Sequence, residues 1–277
     1  MPAAMRPVLA IALFTMKAAR RDWAVVSIAI LAPLAVAAAY LLAMFSFGEK
    51  ARTVLDMGAA TATLAGFLLV SLAASLSIPE DRERRRTQFL LSKPVGRSEY
   101  LFGRALGVVG AVTLAGLPAA LATIVAHHLA IADDLNRSPA ALFSGALWEA
   151  WGRPGLGMAL SVLAASWLQA ACLAAFATAS ALFVPRAAFL PVAAGGFVLG
   201  NLVDFLMASA PDGVPRLVAR AAALPIPPLS RIEILGQAVR AHGVPWEALG
   251  AASLEALLFC AFALAVASVR LSRMDLE

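Results

Sequence analysis

Six stretches of this chain, each longer than 20 residues, carry at most one charged side chain apiece. They run from Trp23 to Phe47, Met57 to Ile78, Tyr100 to Ala126, Leu156 to Val184, Ala187 to Ser209 and Leu249 to Val269. A hydrocarbon core of about 30 Å is crossed by about 20 apolar helical residues. Strands of a membrane barrel would instead alternate with period two over about 10 residues. These runs are longer and do not alternate. The expected fold is therefore all-α, a polytopic membrane protein with six transmembrane helices. Only 14% of the residues are charged and 61% are hydrophobic, whereas a soluble domain carries roughly 25% charged residues.

The net charge of +5 does not point to nucleic acid. The basic residues cluster beside the apolar runs, where the positive-inside rule puts them. Cys172 and Cys260 both lie inside apolar runs, in no metal or redox spacing, and carry no message about compartment. The apolar stretch from Val8 to Phe14 is short and is followed by Lys17, Arg20 and Arg21. That pattern is not expected of a cleaved signal peptide.

Charge alternates along the connections. The N-terminal segment, the loop after the second run, the turn at Arg186 and the tail together hold 14 basic and 7 acidic residues, out of 22 and 17 in the chain. The asymmetry predicts that both termini are cytoplasmic, in agreement with an even number of spans. Residues 7–21 predict a short amphipathic helix, either an ordinary flank of the first span or an interfacial helix along the membrane, with Lys17, Arg20 and Arg21 on one face. Trp23 and Tyr40 are candidate interface anchors. Segments 130–155 and 210–245 are expected outside the cytoplasm. In the second, Pro225, Pro227 and Pro228 exclude a continuous helix. Ser230 is expected to cap a short helix, with Glu233 three residues on and Ile232, Leu235 and Val239 on the membrane surface or closing the bundle. The whole chain, 1–277, reads as a single transmembrane domain.

The longest charged stretch lies between the second and third runs, PEDRERRRTQFLLSKPVGRSEYLFGRALG over residues 79–107. Pro79 suits a first helical turn. Glu80, Asp81 and Glu83 follow where the helix dipole favours negative charge, and Arg84, Arg85 and Arg86 come later. Phe89, Leu90 and Leu91 make an apolar patch, Pro94 and Gly96 break the helix, and Ser98 is the expected N-cap of the next span. Fixing topology needs only a few basic residues. The acids, the apolar patch and the break suggest a docking surface for a soluble partner.

Several of these residues carry a family likeness. Glu80 with Thr87, Leu90-Leu91, Pro94-Val95, Arg97, Tyr100-Leu101, Gly103-Arg104 and Leu106-Gly107 resemble the loop between the second and third spans of type-2 ABC exporter permeases. The tail Arg270-Leu271-Ser272-Arg273-Met274-Asp275-Leu276 resembles an ending common in that family. Arg86, Gly96 and Arg104 stand where Gly, Ser and Lys are common. The resemblance implies the ABC-2 (type V exporter) architecture, in a cytoplasmic (inner) membrane of bacterial type. It implies that segment 79–98 is a coupling helix seated on a separate ABC ATPase subunit. Glu80, Arg82, Glu83 and Arg85 would make charged contacts, Phe89 and Leu90 would anchor, and Pro94 and Arg97 belong to the same motif. A second permease copy, identical or similar, would complete the transporter. The chain contains no G-x-x-x-x-G-K-[ST] phosphate loop. It is therefore expected to be no enzyme and to hold no cofactor, with ATP and Mg in the partner.

Gln169, Asn201, Asp204 and Glu255 lie within or near the ends of apolar runs. Polar and ionisable groups there are costly, and they are candidates to line a substrate path as well as ordinary polar contacts between helices. Gly103-x-x-x-Gly107 and Gly196-x-x-x-Gly200 predict close helix approach, within the bundle or between copies. His127-His128 followed by Asp133-Asp134 is a weak metal candidate, because adjacent histidines point different ways on a helix.

Two other functions compete with transport. An intramembrane hydrolase or lipid-modifying transferase would need a nucleophile or metal constellation, and neither G-x-S-x-G nor H-E-x-x-H occurs. A non-transporting scaffold coupled to an ATPase would use the same docking loop.

Overall fold

The computed structural model describes residues 5–45, 50–83, 96–134, 156–209, 223–233 and 246–273, and among them the regular structure is helical, without strands. Among the described residues eight helices follow one another: α1 (Met5–Ala19), α2 (Trp23–Ala43), α3 (Lys50–Ser75), α4 (Ile78–Glu83), α5 (Arg97–Asp134), α6 (Leu156–Ser180), α7 (Arg186–Ser209) and α8 (Trp246–Ser272). Six of them, α2, α3 and α5 to α8, are long and apolar enough to cross a membrane, in the order expected. The shortest, α2, has 21 residues and is about 31 Å long.

Several boundaries differ from the sequence reading. α3 starts at Lys50 rather than Met57, and α5 runs from Arg97 through Asp134 rather than from Tyr100 to Ala126. At 38 residues, α5 is about 57 Å long and outreaches a bilayer core. Polar ends such as Lys50, Arg52, Asp133 and Asp134 lower the hydropathy of a helix without stopping it. The Ser98 cap is also displaced. α5 starts at Arg97, so Gly96 is the cap, and the Glu99 carboxylate accepts the Gly96 N–H at 2.9 Å. That is half of a capping box, two residues earlier than expected. Asp22, unmarked in the sequence reading, caps α2 by accepting the N–H groups of Ala24 and Val25.

The two GxxxG motifs serve packing inside the chain. A Cβ at Gly103 would sit 2.8 Å from Ile11, and one at Gly107 would sit 2.5 Å from Thr15 and 2.8 Å from the Ala12 carbonyl. These contacts advance in step, so α1 lies against α5 and runs the same way. A Cβ at Gly196 would strike Phe176 of α6, and one at Gly200 would lie 2.7 Å from the Pro227 carbonyl. Small residues thus let backbones meet where no hydrophobic force from water drives association. Alanine does the same at Ala32, Ala65 and Ala119, where α2, α3 and α5 meet.

Large apolar side chains point outward instead, including Leu31, Leu34, Leu41 and Leu42 of α2 and Leu254, Leu257 and Leu258 of α8. Such a surface belongs against lipid tails. Trp23, 81% exposed at the start of α2, has the position of an interfacial anchor.

The six long helices alternate in direction. Arg97 at the start of α5 meets the end of α8, and Arg186 at the start of α7 meets α4 just after α3. The largest core cluster gathers at this α4 end, with Leu69, Ile78, Tyr100, Leu101, Phe189 and Leu271. Towards the other end α7 and α8 hardly touch each other, and segment 223–233 lies between them.

Candidate functional site

Two polar sites stand out, one at the α4 end and one between α7 and α8. The first is built on a charge that cannot reach water. Arg104 lies within the α5 span and is 1% exposed. It pairs with Asp81 of α4, itself 2% exposed, and donates to the Thr15 hydroxyl of α1 at 3.1 Å. The Tyr100 hydroxyl donates to the same Asp81 carboxylate at 2.9 Å. Tyr100 and Arg104 are four residues apart and share a helix face, which brings both to one acceptor. The guanidinium also lies over the rings of Phe14 and Tyr100, 5.5 and 5.4 Å from their centroids.

Around this buried pair the surface contacts converge on α4 and the start of α5. Arg186 of α7 donates to Glu83 at 3.1 Å and lies 4.0 Å from Glu80. Arg97 donates to the carbonyls of Leu271 and Ser272 at 3.0 and 2.7 Å. It thereby satisfies acceptors left open at the end of α8 and sets a positive charge at the negative pole of that helix. Glu80, Asp81, Glu83, Arg97 and Arg104 therefore join α4 and the start of α5 to α1, α7 and α8.

Of the residues expected on the docking loop, Glu80, Glu83 and Arg97 have partners within the chain. Arg82 lies in α4, with its side chain outside the described residues. Arg85, Phe89, Leu90 and Pro94 also lie outside them.

At the second site, three of the four polar candidates meet around segment 223–233. Arg231 bridges Asp204 of α7, at 3.3 Å, and Glu255 of α8. The Ser230 hydroxyl donates to the other Asp204 oxygen at 2.9 Å. Gln169 of α6 donates to the Leu229 carbonyl at 3.0 Å and to Glu233 at 3.3 Å, and accepts from Thr63 of α3 at 3.2 Å. Asn201 is the exception, since it donates to the Phe197 carbonyl of its own helix. The expected cap is not where the sequence placed it: Ser230 lies inside the helical turn 229–233, with its hydroxyl turned to Asp204. Leu229 and Ile232 are each 1% exposed and pack on Ala256 and Phe259, so the segment closes the bundle rather than lying on a membrane surface.

Its composition explains how an irregular backbone rests there. Non-helical chain at membrane depth needs protein partners for its polar groups. Pro225, Pro227 and Pro228 bring no N–H. The Ile226 and Leu229 N–H groups donate to Ala223 and Pro227 at 3.0 and 2.8 Å. A cavity of about 620 Å³ remains beside the segment, lined by Asp204, Arg231, Glu255 and apolar side chains that include Met207, Leu258 and Phe262.

Among the described residues the histidines are not gathered with Asp133 into one ligand group. His127 is buried with Nδ1 3.0 Å from the Ala51 carbonyl, while Asp133 accepts from Tyr40 at 3.0 Å. No group of three metal-ligating side chains occurs among the described residues.

Sequence reasoning missed Arg231 and the Asp81–Arg104 pair. The signal for both was local: a carboxylate or guanidinium inside an apolar span demands an opposite charge, and Asp204, Glu255 and Arg104 each made that demand.

No protein-family model matches this chain, and no curated protein matches it.

Proposed function

We propose that this chain is the transmembrane permease subunit of an ABC-2 type transporter, an exporter driven by a separate ATPase subunit. The ATPase docks on segment 79–98, which lies with both termini in the cytoplasm of a bacterial inner membrane. A second permease copy, identical or similar, completes the assembly, and ATP and Mg belong to the partner. Substrate passes by Gln169, Asp204 and Glu255.

One observation carries this reading beyond the motif. The α4 end is where ion pairs and hydrogen bonds from α1, α5, α7 and α8 converge on a six-residue helix and the start of the next span. A soluble motor pushing on α4 would bear directly on α5 and α7, and through Arg104 and Arg97 of α5 on α1 and α8. A loop that only set topology would need no such connections. In the other half of the bundle, α7 and α8 are joined through segment 223–233, by the Arg231 ion pairs and by the packing of Leu229, with little direct contact between the two helices. That half is the one free to open.

The test is co-expression with the ABC ATPase encoded nearest to this chain, followed by purification in mild detergent and ATPase assay. The expected result is co-purification and a stimulated hydrolysis rate, both lost when residues 83–91 are deleted. If the ATPase never co-purifies and the deletion changes nothing, the reading fails. Transport into inverted vesicles separates an exporter from a scaffold that uses the same docking loop.

A further inference from the structure

Among the described residues, the lining of the cavity between α7 and α8 carries more negative charge than positive. Two carboxylates, Asp204 and Glu255, line it against one guanidinium, Arg231. Arg231 serves both at once, and it is the sole side-chain partner of Glu255 among the described residues. The remaining walls include Met207, Leu258 and Phe262, which offer no polar group. Among the described lining residues this leaves a net charge of −1 beside apolar walls, with Asp204 27% and Glu255 39% exposed, so a cation with an apolar body can reach both carboxylates.

The cavity is also the right size and is reachable from the side. Its volume of about 620 Å³ falls in the range of roughly 300–1,000 Å³ typical of small-molecule sites. Leu258 is 63% and Phe262 47% exposed on the side where α7 and α8 fail to meet. Asp204 lies about 27 Å along α7 from Arg186, in the half of the bundle away from α4. The path into the cavity therefore runs between two spans, from the lipid-facing surface.

We infer that this cavity binds a hydrophobic monocation, whose charge is shared by Glu255 and Asp204 beside Arg231 while its apolar body lies on Met207, Leu258 and Phe262. With the cation bound, the lining carries two positive and two negative charges. An anion of the same shape would meet the excess carboxylate and is rejected. A zwitterionic lipid headgroup has no net charge to offer and leaves the imbalance in place. This names the substrate class for the permease reading and rests on that reading for transport, but not for binding.

Binding is measured with the full chain in detergent micelles or nanodiscs, without any ATPase, against protein-free controls. The probes are radiolabelled tetraphenylphosphonium and tetraphenylborate, which share size and shape and differ in the sign of charge. Saturable uptake of tetraphenylphosphonium, about one per chain, with none of tetraphenylborate, is the expected result. Glu255→Gln and Asp204→Asn should each weaken tetraphenylphosphonium up to about fivefold, and Leu258→Trp should block it by filling the cavity. Equal or tighter binding of tetraphenylborate overturns the inference, as does saturable cation binding that survives all three substitutions. Displacement of the cation by lysophosphatidylethanolamine at equal concentration would assign the cavity to zwitterionic lipid and overturn it too. Where a substitution prevents folding, the comparison of the two probes on the unaltered chain decides. Failure here leaves ATPase docking untouched, and failure of docking leaves the binding result standing.

Discussion

The Asp81 carboxylate in α4 and the Arg104 guanidinium in α5 form an ion pair that the bundle hides almost completely, at 3% and 1% side-chain exposure. Removing one member of such a pair strands the other charge, which typically costs about 3–5 kcal/mol. Asp81→Ala and Arg104→Ala should each lower stability by about that much. The double replacement Asp81→Leu with Arg104→Met removes both charges together and should cost less than either single change. Thermal unfolding in detergent checks the order.

Gly107 of α5 should not tolerate a methyl group. Its added Cβ would lie 2.8 Å from the Ala12 carbonyl, a backbone atom that cannot swing aside. Gly107→Ala should destabilise by about 1–3 kcal/mol. A Cβ at Gly116, in the same helix, would meet nothing within 4 Å, so Gly116→Ala serves as the matched control and should be neutral or better. Unfolding midpoints of the two variants, compared side by side, give the answer.

Arg97 holds the last turn of α8 through two carbonyls. Arg97→Ala should release that turn by about 1 kcal/mol, which corresponds to roughly fivefold faster backbone hydrogen exchange there. Arg97→Lys keeps the charge but not the fork and should fall between. Exchange elsewhere in α8 should be unchanged.

The pair between Glu83 and Arg186 is half exposed, so it contributes little to stability, on the order of 0.2–1 kcal/mol. Its value as a test lies in orientation. Glu83→Arg should loosen α7 from α4, and adding Arg186→Glu should restore the contact with its sign reversed. Crosslinking between cysteines placed on α4 and α7 reads this directly. Recovery in the double variant shows Glu83 engaged within the chain rather than reserved for a partner.

Gln169 makes hydrogen bonds to α3 and to segment 223–233. Gln169→Leu leaves the buried Leu229 carbonyl without that donor, at a cost of about 1–3 kcal/mol. Proteolysis and hydrogen exchange should increase across residues 223–233, ahead of any change in α1 or α2.

Much of the architecture was legible because hydropathy is a local property. Each apolar run announced its own helix, and the order of six spans followed without knowledge of their neighbours. Helix ends were less legible. Gly96 rather than Ser98 caps α5 because Glu99 turns back to it, a choice between adjacent residues that propensity alone does not make. The two GxxxG motifs announced close packing but not its partner. Both partners, α1 for one and α6 with the Pro227 backbone for the other, depend on how helices distant in the chain are laid side by side.

The sequence by itself determined that this protein is a set of six apolar helices whose connections alternate in charge, since length, hydropathy and charge are written residue by residue. It also places Asp204, Glu255 and Arg104 inside apolar runs, where a charge needs a counter-charge. Tertiary structure alone decided which one they found. Arg231 reaches Asp204 and Glu255 because a proline-rich segment turns inward between α7 and α8, and Arg104 reaches Asp81 because the first turns of α5 are laid beside α4. An ion pair depends on a distance between two chain segments, and no periodicity in either segment encodes that distance.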